Sequence, residues 1–220
     1  MRTRQPILVA GDIVGRRDRW IQDYLHSSAR RAPEVVVDVG AGRLNRSGLA
    51  PAARYFATDI RPLVGVDFSA DGGALPLRDD SVDVLLGLEL LEHVPDPMSI
   101  LREAARVVRP DGLVFFSVPS TFPRHDEADY WRFTAEGLAH LGNQVFSEVE
   151  VVAFGHTFES LAVLAAYYLQ LVAHRTWSPL ERAVPMVERL GYRLDRRSKW
   201  SRSTDGLHTL TTDLLLVGRP

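Results

Sequence analysis

The sequence of 220 residues is 45% hydrophobic, which is enough to bury one sizeable core and leaves little for a second full domain. Its formal net charge of -2 gives no overall positive field that would attract nucleic acid or an acidic membrane, so any such binding would need a local basic patch. The absence of cysteine excludes disulfides, thiolate metal sites and cysteine nucleophiles.

The beginning of the chain contains only one short apolar run, residues 7–10, before Asp12. This run is too short for a signal sequence or a membrane span. We therefore expect a cytoplasmic protein with a single domain over residues 1–220.

The first elements predicted are a helix and a buried strand. Residues 16–31 place apolar side chains at helical spacing between charges, and Pro33 ends that helix. The β-branched run Val35–Val39 is typical of a strand that is covered on both faces of a parallel sheet. Residues 55–59 predict a second strand, which ends in the carboxylate of Asp59.

Strands and helices then alternate along the chain. Asp96 and Pro97 fit the N-cap and the first position of a helix that ends before the turn at residues 110–112. The strands predicted in this part are residues 64–68, 82–88 and 113–118. The alternation predicts an α/β fold with a doubly wound parallel sheet.

The pattern changes after the fifth predicted strand. Residues 119–133 form a long aromatic and charged segment, and Thr134 caps a short predicted helix that ends at residue 141. The remaining predicted elements are a strand over residues 145–154, helices over 158–172 and 180–190, the second with Pro185 inside it, and a final strand over 209–217.

The glycine turn after the first strand indicates a nucleoside ligand. Gly40 and Gly42 could begin a dinucleotide fingerprint, but the third glycine of that pattern would fall at Asn45, which disfavours a pyrophosphate. Asp59 lies about 20 residues beyond Gly40, the separation expected for a carboxylate that holds ribose hydroxyls. Each signal alone also fits a structural turn or a capping residue, whereas together they favour a nucleoside site.

Residues 34–119 resemble the class I S-adenosylmethionine-dependent methyltransferases. Residues 38–42 match the first motif of that family, Asp59 its ribose-binding acid, and Asp71 the acid that accepts a hydrogen bond from the adenine amino group. Residues 81–97 resemble the fourth strand and the segment after it, and residues 101–112 resemble the helix and turn before the fifth strand.

The resemblance implies S-adenosylmethionine as the cofactor and S-adenosylhomocysteine as the product. It also implies a Rossmann-like, mostly parallel sheet of seven strands with an antiparallel C-terminal strand and helices on both faces. Residues 1–33 would then be an N-terminal helical segment, 34–119 the cofactor-binding core, and 120–220 the acceptor-side elaboration with the final strands. The implied cofactor contacts lie at strand ends and in turns: Asp38, Gly40, Ala41, Gly42, Asp59, Ile60, Asp71, Gly72, Leu88 and Glu89.

The segment of residues 123–134 resembles a signature of a bacterial subgroup of these enzymes, found among proteins of glycan or secondary-metabolite synthesis. We take His125 as the candidate general base and Asp129 as the group that orients it. Tyr130, Trp131 and Arg132 are the candidate acceptor-binding residues. In the alternative interpretation, the aromatic side chains cover the sheet edge and Arg132 pairs with Asp129.

His93 is a second candidate base, because it follows the fourth predicted strand. Its alternative role is to hold the loop at the start of a helix. His125, Asp126, Asp129 and His93 have oxygen and imidazole ligands that suit a divalent cation, but no spacing among them is diagnostic, so we predict no metal site.

Two C-terminal features leave the partners open. The basic run of residues 193–202 could bind phosphate, a nucleotide-sugar or an acidic lipid surface, although such runs are usually solvated faces. The apolar helix of residues 158–172 is too short to span a bilayer and would serve as core or dimer interface, with membrane-surface contact as the alternative.

The resulting hypothesis is methyl transfer from S-adenosylmethionine to a small-molecule acceptor, a hydroxyl of a sugar or secondary metabolite, by a monomer or homodimer. The alternatives are a non-catalytic accessory subunit that binds the cofactor and a methyltransferase that acts on tRNA or protein.

Overall fold

The computed structural model describes residues 13–176, 184–197 and 210–220. Its helices are α1 (Ile13–Ser28), α2 (Pro97–Val107), α3 (Ala135–Gly142), α4 (Thr157–Thr176) and α5 (Val184–Arg197). Its strands are β1 (Val35–Val39), β2 (Arg54–Asp59), β3 (Phe68–Ser69), β4 (Val82–Leu88), β5 (Val108–Pro119), β6 (Glu148–Phe154) and β7 (Asp213–Arg219).

The seven strands form one sheet in the order β3-β2-β1-β4-β5-β7-β6. Strands β1 to β5 pair in parallel, whereas β7 is inserted antiparallel between β5 and β6. The strand order reverses between β1 and β4, and ligands of open α/β sheets bind beside such a reversal, at the carboxyl ends of the strands. The fold inferred from the sequence, mostly parallel with an antiparallel C-terminal strand, is confirmed.

Two hydrophobic clusters cover the two faces of the sheet. Val37, Leu85 and Phe116 face one side, where α2 and α3 pack, whereas Val36 and Phe115 face the other, where α1 and α4 pack. Successive strand residues point to opposite faces, so a strand between two helical layers must be apolar at every position. All seven residues of β4 are buried, which explains the uninterrupted apolar run in its sequence.

The helix starts follow the local chemistry predicted from the sequence. Asp96 caps α2, because its Oδ1 accepts a hydrogen bond of 3.1 Å from the Met98 backbone N–H. Thr134 caps α3 by accepting one of 3.0 Å from the Gly137 backbone N–H. Helix α1 begins at Ile13 and ends at Ser28, three residues earlier at each end than predicted (16 − 13 = 3 and 31 − 28 = 3).

The prediction of a strand over residues 64–68 is wrong, since only Phe68–Ser69 pairs with β2. Val64 is 94% exposed, and Gly65 adopts a φ of +92°, which turns the chain before a strand can begin. The β-branched residues of this segment therefore led to a strand prediction for what is an exposed loop.

The helix predicted over residues 180–190 overlaps α5, but its predicted end at residue 190 is wrong, because α5 continues to Arg197. Pro185 lies in its first turn, where a missing N–H leaves no helical hydrogen bond unmade. Residues 180–183, residues 198–202 of the basic run and the predicted strand start at residue 209 lie outside the described residues. Among the helices that the structure describes, none is long and apolar enough to cross a membrane.

Candidate cofactor and acceptor site

The turn after β1 brings backbone close to the carboxyl edge of the sheet. Gly40 and Gly42 adopt φ values of +69° and +60°, in the left-handed region that glycine tolerates. A Cβ on Gly40 would lie 2.7 Å from Cδ1 of Leu90, so a larger residue does not fit there without a shift. The Ala41 backbone N–H donates to the carbonyl of Thr58 at 3.0 Å, which fixes the turn against the end of β2.

Asp59 joins the ends of β1 and β2. Its Oδ2 accepts a hydrogen bond of 3.1 Å from the Gly42 backbone N–H, and its Oδ1 accepts from the backbone N–H and the Nε of Arg61 at 2.9 and 3.1 Å. Burial acts to raise the pKa of Asp59, but the hydrogen bonds from Arg61 and Gly42 outweigh it and the pKa lies below its ordinary value. An ionised carboxylate therefore stands beside the glycine turn, where ribose hydroxyls could donate to it.

Asp38 lies beneath the turn and is fully buried. Its Oδ2 accepts hydrogen bonds of 2.6 Å from the Tyr55 hydroxyl and 2.9 Å from Arg46 Nη1. Burial raises the pKa of Asp38, although Arg46 and Tyr55 partly oppose the shift. These contacts brace the turn from within the protein.

The other two turns at this edge contain Ile60, Asp71 and Gly72. Ile60 follows β2 with 69% of its surface exposed, so its apolar side chain is available to a flat ring. Asp71 is exposed, and its Oδ1 accepts a hydrogen bond of 2.9 Å from the Gly73 backbone N–H. A Cβ on Gly72 would lie 2.8 Å from Cγ1 of Val39, which brings this loop against the end of β1.

Leu88 and Glu89, at the end of β4, have different environments. The Leu88 side chain is buried in the core on the α1 side of the sheet. Glu89 has a φ of +56°, a strained value for a residue with a side chain, and such strain is common at binding sites. Its Oε1 accepts hydrogen bonds of 2.6 Å from the Ser117 hydroxyl and 2.8 Å from Arg17 Nη1.

Arg17, Ser117 and Asp213 are site residues that sequence reasoning missed. Arg17 is buried and also donates from Nη1 to Ser117 Oγ at 2.8 Å and to Asp213 Oδ2 at 3.1 Å. Burial, and then the charge of Glu89, raise the pKa of Asp213 well above its ordinary value. One feature of the sequence could have revealed Arg17. It is the only charged residue in the buried stripe of α1, whose other members are Ile13, Ile21 and Leu25.

A buried carboxyl and two imidazoles meet after β4. Glu92 is fully buried, and within the described residues neither of its carboxylate oxygens has a hydrogen-bond partner. Burial, followed by the charge of Glu89, raises the pKa of Glu92 to about 9, so the group is protonated at neutral pH. His93 Nδ1 lies 2.5 Å from the carbonyl oxygen of Ala128, which leaves its Nε2 facing Oε1 of Glu92 at 3.5 Å.

The His125 ring packs edge-on against the ring of His93, with centroids 5.1 Å apart. Glu92, His93 and His125 each offer one ligand atom within 4.8 Å of the others, a geometry that could hold a divalent cation. The structure thus brings the two candidate bases together. The absence of a metal site stays a prediction.

The loop that contains His125 is fastened by Arg132 and Asp129. Arg132 donates to the carbonyls of Phe122 and Pro123 at 2.7 and 2.9 Å, and both of its Nη atoms bond to Asp129. Asp129 Oδ2 accepts from the His125 backbone N–H at 3.0 Å and lies 3.3 Å from its Nδ1. The ion pair with Arg132 lowers the pKa of Asp129 to about 2, so this carboxylate stays charged.

Two exposed rings follow in the same segment. The Tyr130 backbone N–H donates to the carbonyl of Glu92 at 2.7 Å, and Trp131 Nε1 donates to the carbonyl of Val94 at 2.9 Å. Both rings keep a large exposed surface, whereas Phe133 is buried in the core. The segment is therefore tied to the end of β4 with Tyr130 and Trp131 on its outer side.

Residues 37–116 match a family model described as a methyltransferase domain. The chain is 39% identical over 113 residues to a ubiquinone biosynthesis O-methyltransferase from Ralstonia nicotianae, an alignment that covers 43% of this chain and 47% of that protein. A ubiquinone biosynthesis O-methyltransferase from Neisseria meningitidis is 50% identical over 100 residues, 44% of this chain and 40% of that one. The chain thus spans less than half the length of these curated relatives.

The fold is also similar to the crystal structure of an S-adenosylmethionine-dependent methyltransferase from Archaeoglobus fulgidus. The TM-score is 0.58 at 14% identity, over 95% of this chain and 94% of that one. The family model covers β1 to β5, the part of the sheet that carries the glycine turn and Asp59. The chain therefore matches a methyltransferase domain over residues 37–116 and has a seven-stranded fold similar to that of an S-adenosylmethionine-dependent methyltransferase.

Proposed function

We propose that the chain transfers the methyl group of S-adenosylmethionine to a small-molecule acceptor. The observation that carries the proposal is the ionised Asp59 carboxylate, whose Oδ2 accepts a hydrogen bond of 3.1 Å from the Gly42 backbone N–H. This carboxylate lies beside a glycine turn, where a ligand can approach the backbone closely. A nucleoside without a pyrophosphate needs these two features, a ribose-binding acid and an open glycine backbone. Asp71 and Ile60 would contact the adenine ring from the two neighbouring turns.

When bound, the cofactor supplies an activated methyl on a positively charged sulfur, so the protein needs no covalent nucleophile. The protein must align the acceptor with that methyl and keep water out. Glu89 stands at the β4 end of the same edge, where its carboxylate, oriented by Arg17 and Ser117, favours positive charge nearby. Tyr130 and Trp131 would then form the wall of the acceptor site.

A hydroxyl acceptor must also lose a proton, and the relatives are named O-methyltransferases. His125 is the proposed general base, because Asp129 lies 3.3 Å from its Nδ1 and can orient the ring. His93 is the second candidate, with Nε2 beside the protonated carboxyl of Glu92. All the donor groups of Arg132 bond within the loop, which favours a structural role for this residue over acceptor binding. The proposal takes the acceptor to be a sugar or secondary metabolite and the enzyme to be cytoplasmic.

The test of the cofactor assignment is calorimetry with S-adenosylhomocysteine on Asp59→Ala. We expect binding to be lost while the thermal unfolding curve stays cooperative. Asp23→Ala, an exposed carboxylate of α1, is the matched control and should bind as the wild-type protein does. An Asp59→Ala protein with unchanged affinity would overturn the proposal.

The test of the base compares His125→Ala with His93→Ala. With candidate hydroxyl acceptors screened by mass spectrometry, the variant that lacks the base should lose turnover and keep the wild-type affinity for S-adenosylhomocysteine. Full activity of His125→Ala would remove His125 from the mechanism. A chain that binds the cofactor but methylates no acceptor would support the accessory-subunit alternative, and salt-sensitive RNA binding would support a tRNA substrate.

A further inference from the structure

Helix α5 has an inner face that is fixed against α4. A Cβ on Gly191 would lie 2.4 Å from that of Ala162, so the two helices touch at this glycine. Asp195 caps the start of α4 by accepting hydrogen bonds of 3.0 Å from the Phe158 backbone N–H and 2.7 Å from that of Glu159. These contacts determine which side of α5 faces the protein.

The opposite side of α5 exposes an apolar stripe. Met186, Leu190 and Leu194 are 67%, 56% and 41% exposed, and their four-residue spacing aligns them along one face of the helix. In the ranges 13–176, 184–197 and 210–220, no residue covers this stripe.

Arginines border the stripe. Four of them on α5 are exposed: Arg189, Arg193, Arg196 and Arg197. At 100° per residue, Arg193 and Arg197 lie within about 20° of Met186, so positive charge and apolar surface share the outer face. The two acids of the helix, Glu188 and Asp195, share the inner face with Gly191 by the same geometry. The outer face therefore combines apolar side chains with cations and has no carboxylate of its own helix.

We propose that the outer face of α5 docks this protein onto an anionic lipid surface. The apolar stripe would enter the boundary between headgroups and acyl chains, and the arginines would pair with lipid phosphates. A second copy of the chain, related by a two-fold axis through this face, would bring the arginines of both copies together, and like charges repel. Nucleic acid would pair with the arginines but leave the apolar stripe without a partner. The proposal does not depend on the methyltransferase activity.

The experiment is co-sedimentation of the full chain with vesicles. We expect binding to vesicles of phosphatidylcholine with one quarter phosphatidylglycerol, at least tenfold weaker binding to phosphatidylcholine alone, and weakening by salt. Each arginine near an anionic surface strengthens binding about fivefold, so Arg189→Ser with Arg193→Ser should weaken it about 25-fold. The matched control, Arg78→Ser with Arg102→Ser, removes two exposed arginines elsewhere and should bind normally.

The apolar part is tested by Met186→Ser, Leu190→Ser and Leu194→Ser together, which should reduce vesicle binding to background, with Val64→Ser as the exposed apolar control. If the triple variant does not fold by circular dichroism, the arginine pair, whose side chains are exposed, carries the test. The proposal is overturned if the wild-type chain does not sediment with anionic vesicles or if the arginine variant binds like its control. It is also overturned if ultracentrifugation shows a dimer that the triple variant dissociates and neither protein binds vesicles.

Discussion

The buried Glu92 makes a sharp prediction about stability. Its pKa rises from an ordinary 4.5 to about 9 in the folded chain, because the carboxyl is buried and lies near Glu89. Below about pH 4.5 the group is protonated in both the folded and unfolded states. Between pH 4.5 and 9 only the unfolded chain releases the proton, so the folded state loses stability as the pH rises.

The size of the effect follows from the two pKa values. At pH 7 the unfolded group is 2.5 pH units above its pKa of 4.5 (7 − 4.5 = 2.5), which corresponds to about 3 kcal/mol at about 1.4 kcal/mol per unit. Glu92→Gln keeps the shape of the side chain and removes its ionisation. We therefore expect the variant to gain stability relative to wild type by about 1.4 kcal/mol for each pH unit between 5 and 8.

Urea denaturation of both proteins at pH 5, 6, 7 and 8 measures this difference. Glu127→Gln is the control, because Glu127 is exposed in the neighbouring loop and its difference from wild type should stay flat across the range. A Glu92→Gln difference that is the same at pH 5 and pH 8 would refute the argument. A stabilised variant with reduced turnover would indicate that Glu92 is retained for function, since a buried acid at this position costs stability.

Three further predictions concern the same site and its supports. Gly40→Ala should lower the free energy of unfolding by about 2 kcal/mol more than Gly42→Ala in urea melts, because both residues have positive φ but only Gly40 has a side chain within 2.7 Å of the added Cβ. Asp129→Asn should destabilise by about 2 kcal/mol at pH 7, a difference that disappears in acid as the wild-type carboxylate is protonated between its ordinary pKa and about 2. Asp195→Ala should lower the melting temperature through the loss of about 1–2 kcal/mol of capping at α4, whereas Asp195→Asn should retain part of it.

The central sheet was predictable because each strand has a local signature. Val35–Val39 and Val82–Leu88 are continuous apolar runs, which only a strand between two helical layers requires, and both boundaries agree with the structure. Residues 64–68 have the same β-branched character, yet Val64 is exposed and Gly65 turns the chain. Whether such a run pairs with another strand depends on residues that are distant in sequence, and the composition of the run itself does not indicate which residues these are.

The parts of the site that lie in a local sequence motif could be predicted. The parts that the fold brings together from distant segments could not. Gly40, Gly42 and Asp59 meet because consecutive parallel strands end at the same edge of the sheet. Arg17 and Glu89 are 72 positions apart in sequence, and no local sequence pattern predicts their contact. The pairing of His93 with His125 likewise depends on the path of the loop after β5, which carries no regular periodicity.

The network around Arg17 also constrains the order of folding. Arg17 and Asp213 are 196 positions apart, and the strand that begins at Asp213 lies between β5 and β6 in the sheet. During synthesis, β6 therefore lacks the strand with which it pairs until β7 has emerged from the ribosome, and Arg17 lacks its contact with Asp213. The sheet is completed by contacts between residues that are far apart in sequence, and such contacts form slowly. The network around Arg17 is thus complete only after β7 has been translated, and a chain that still lacks β7 presents unpaired strand edges at β5 and β6 on which other chains can aggregate.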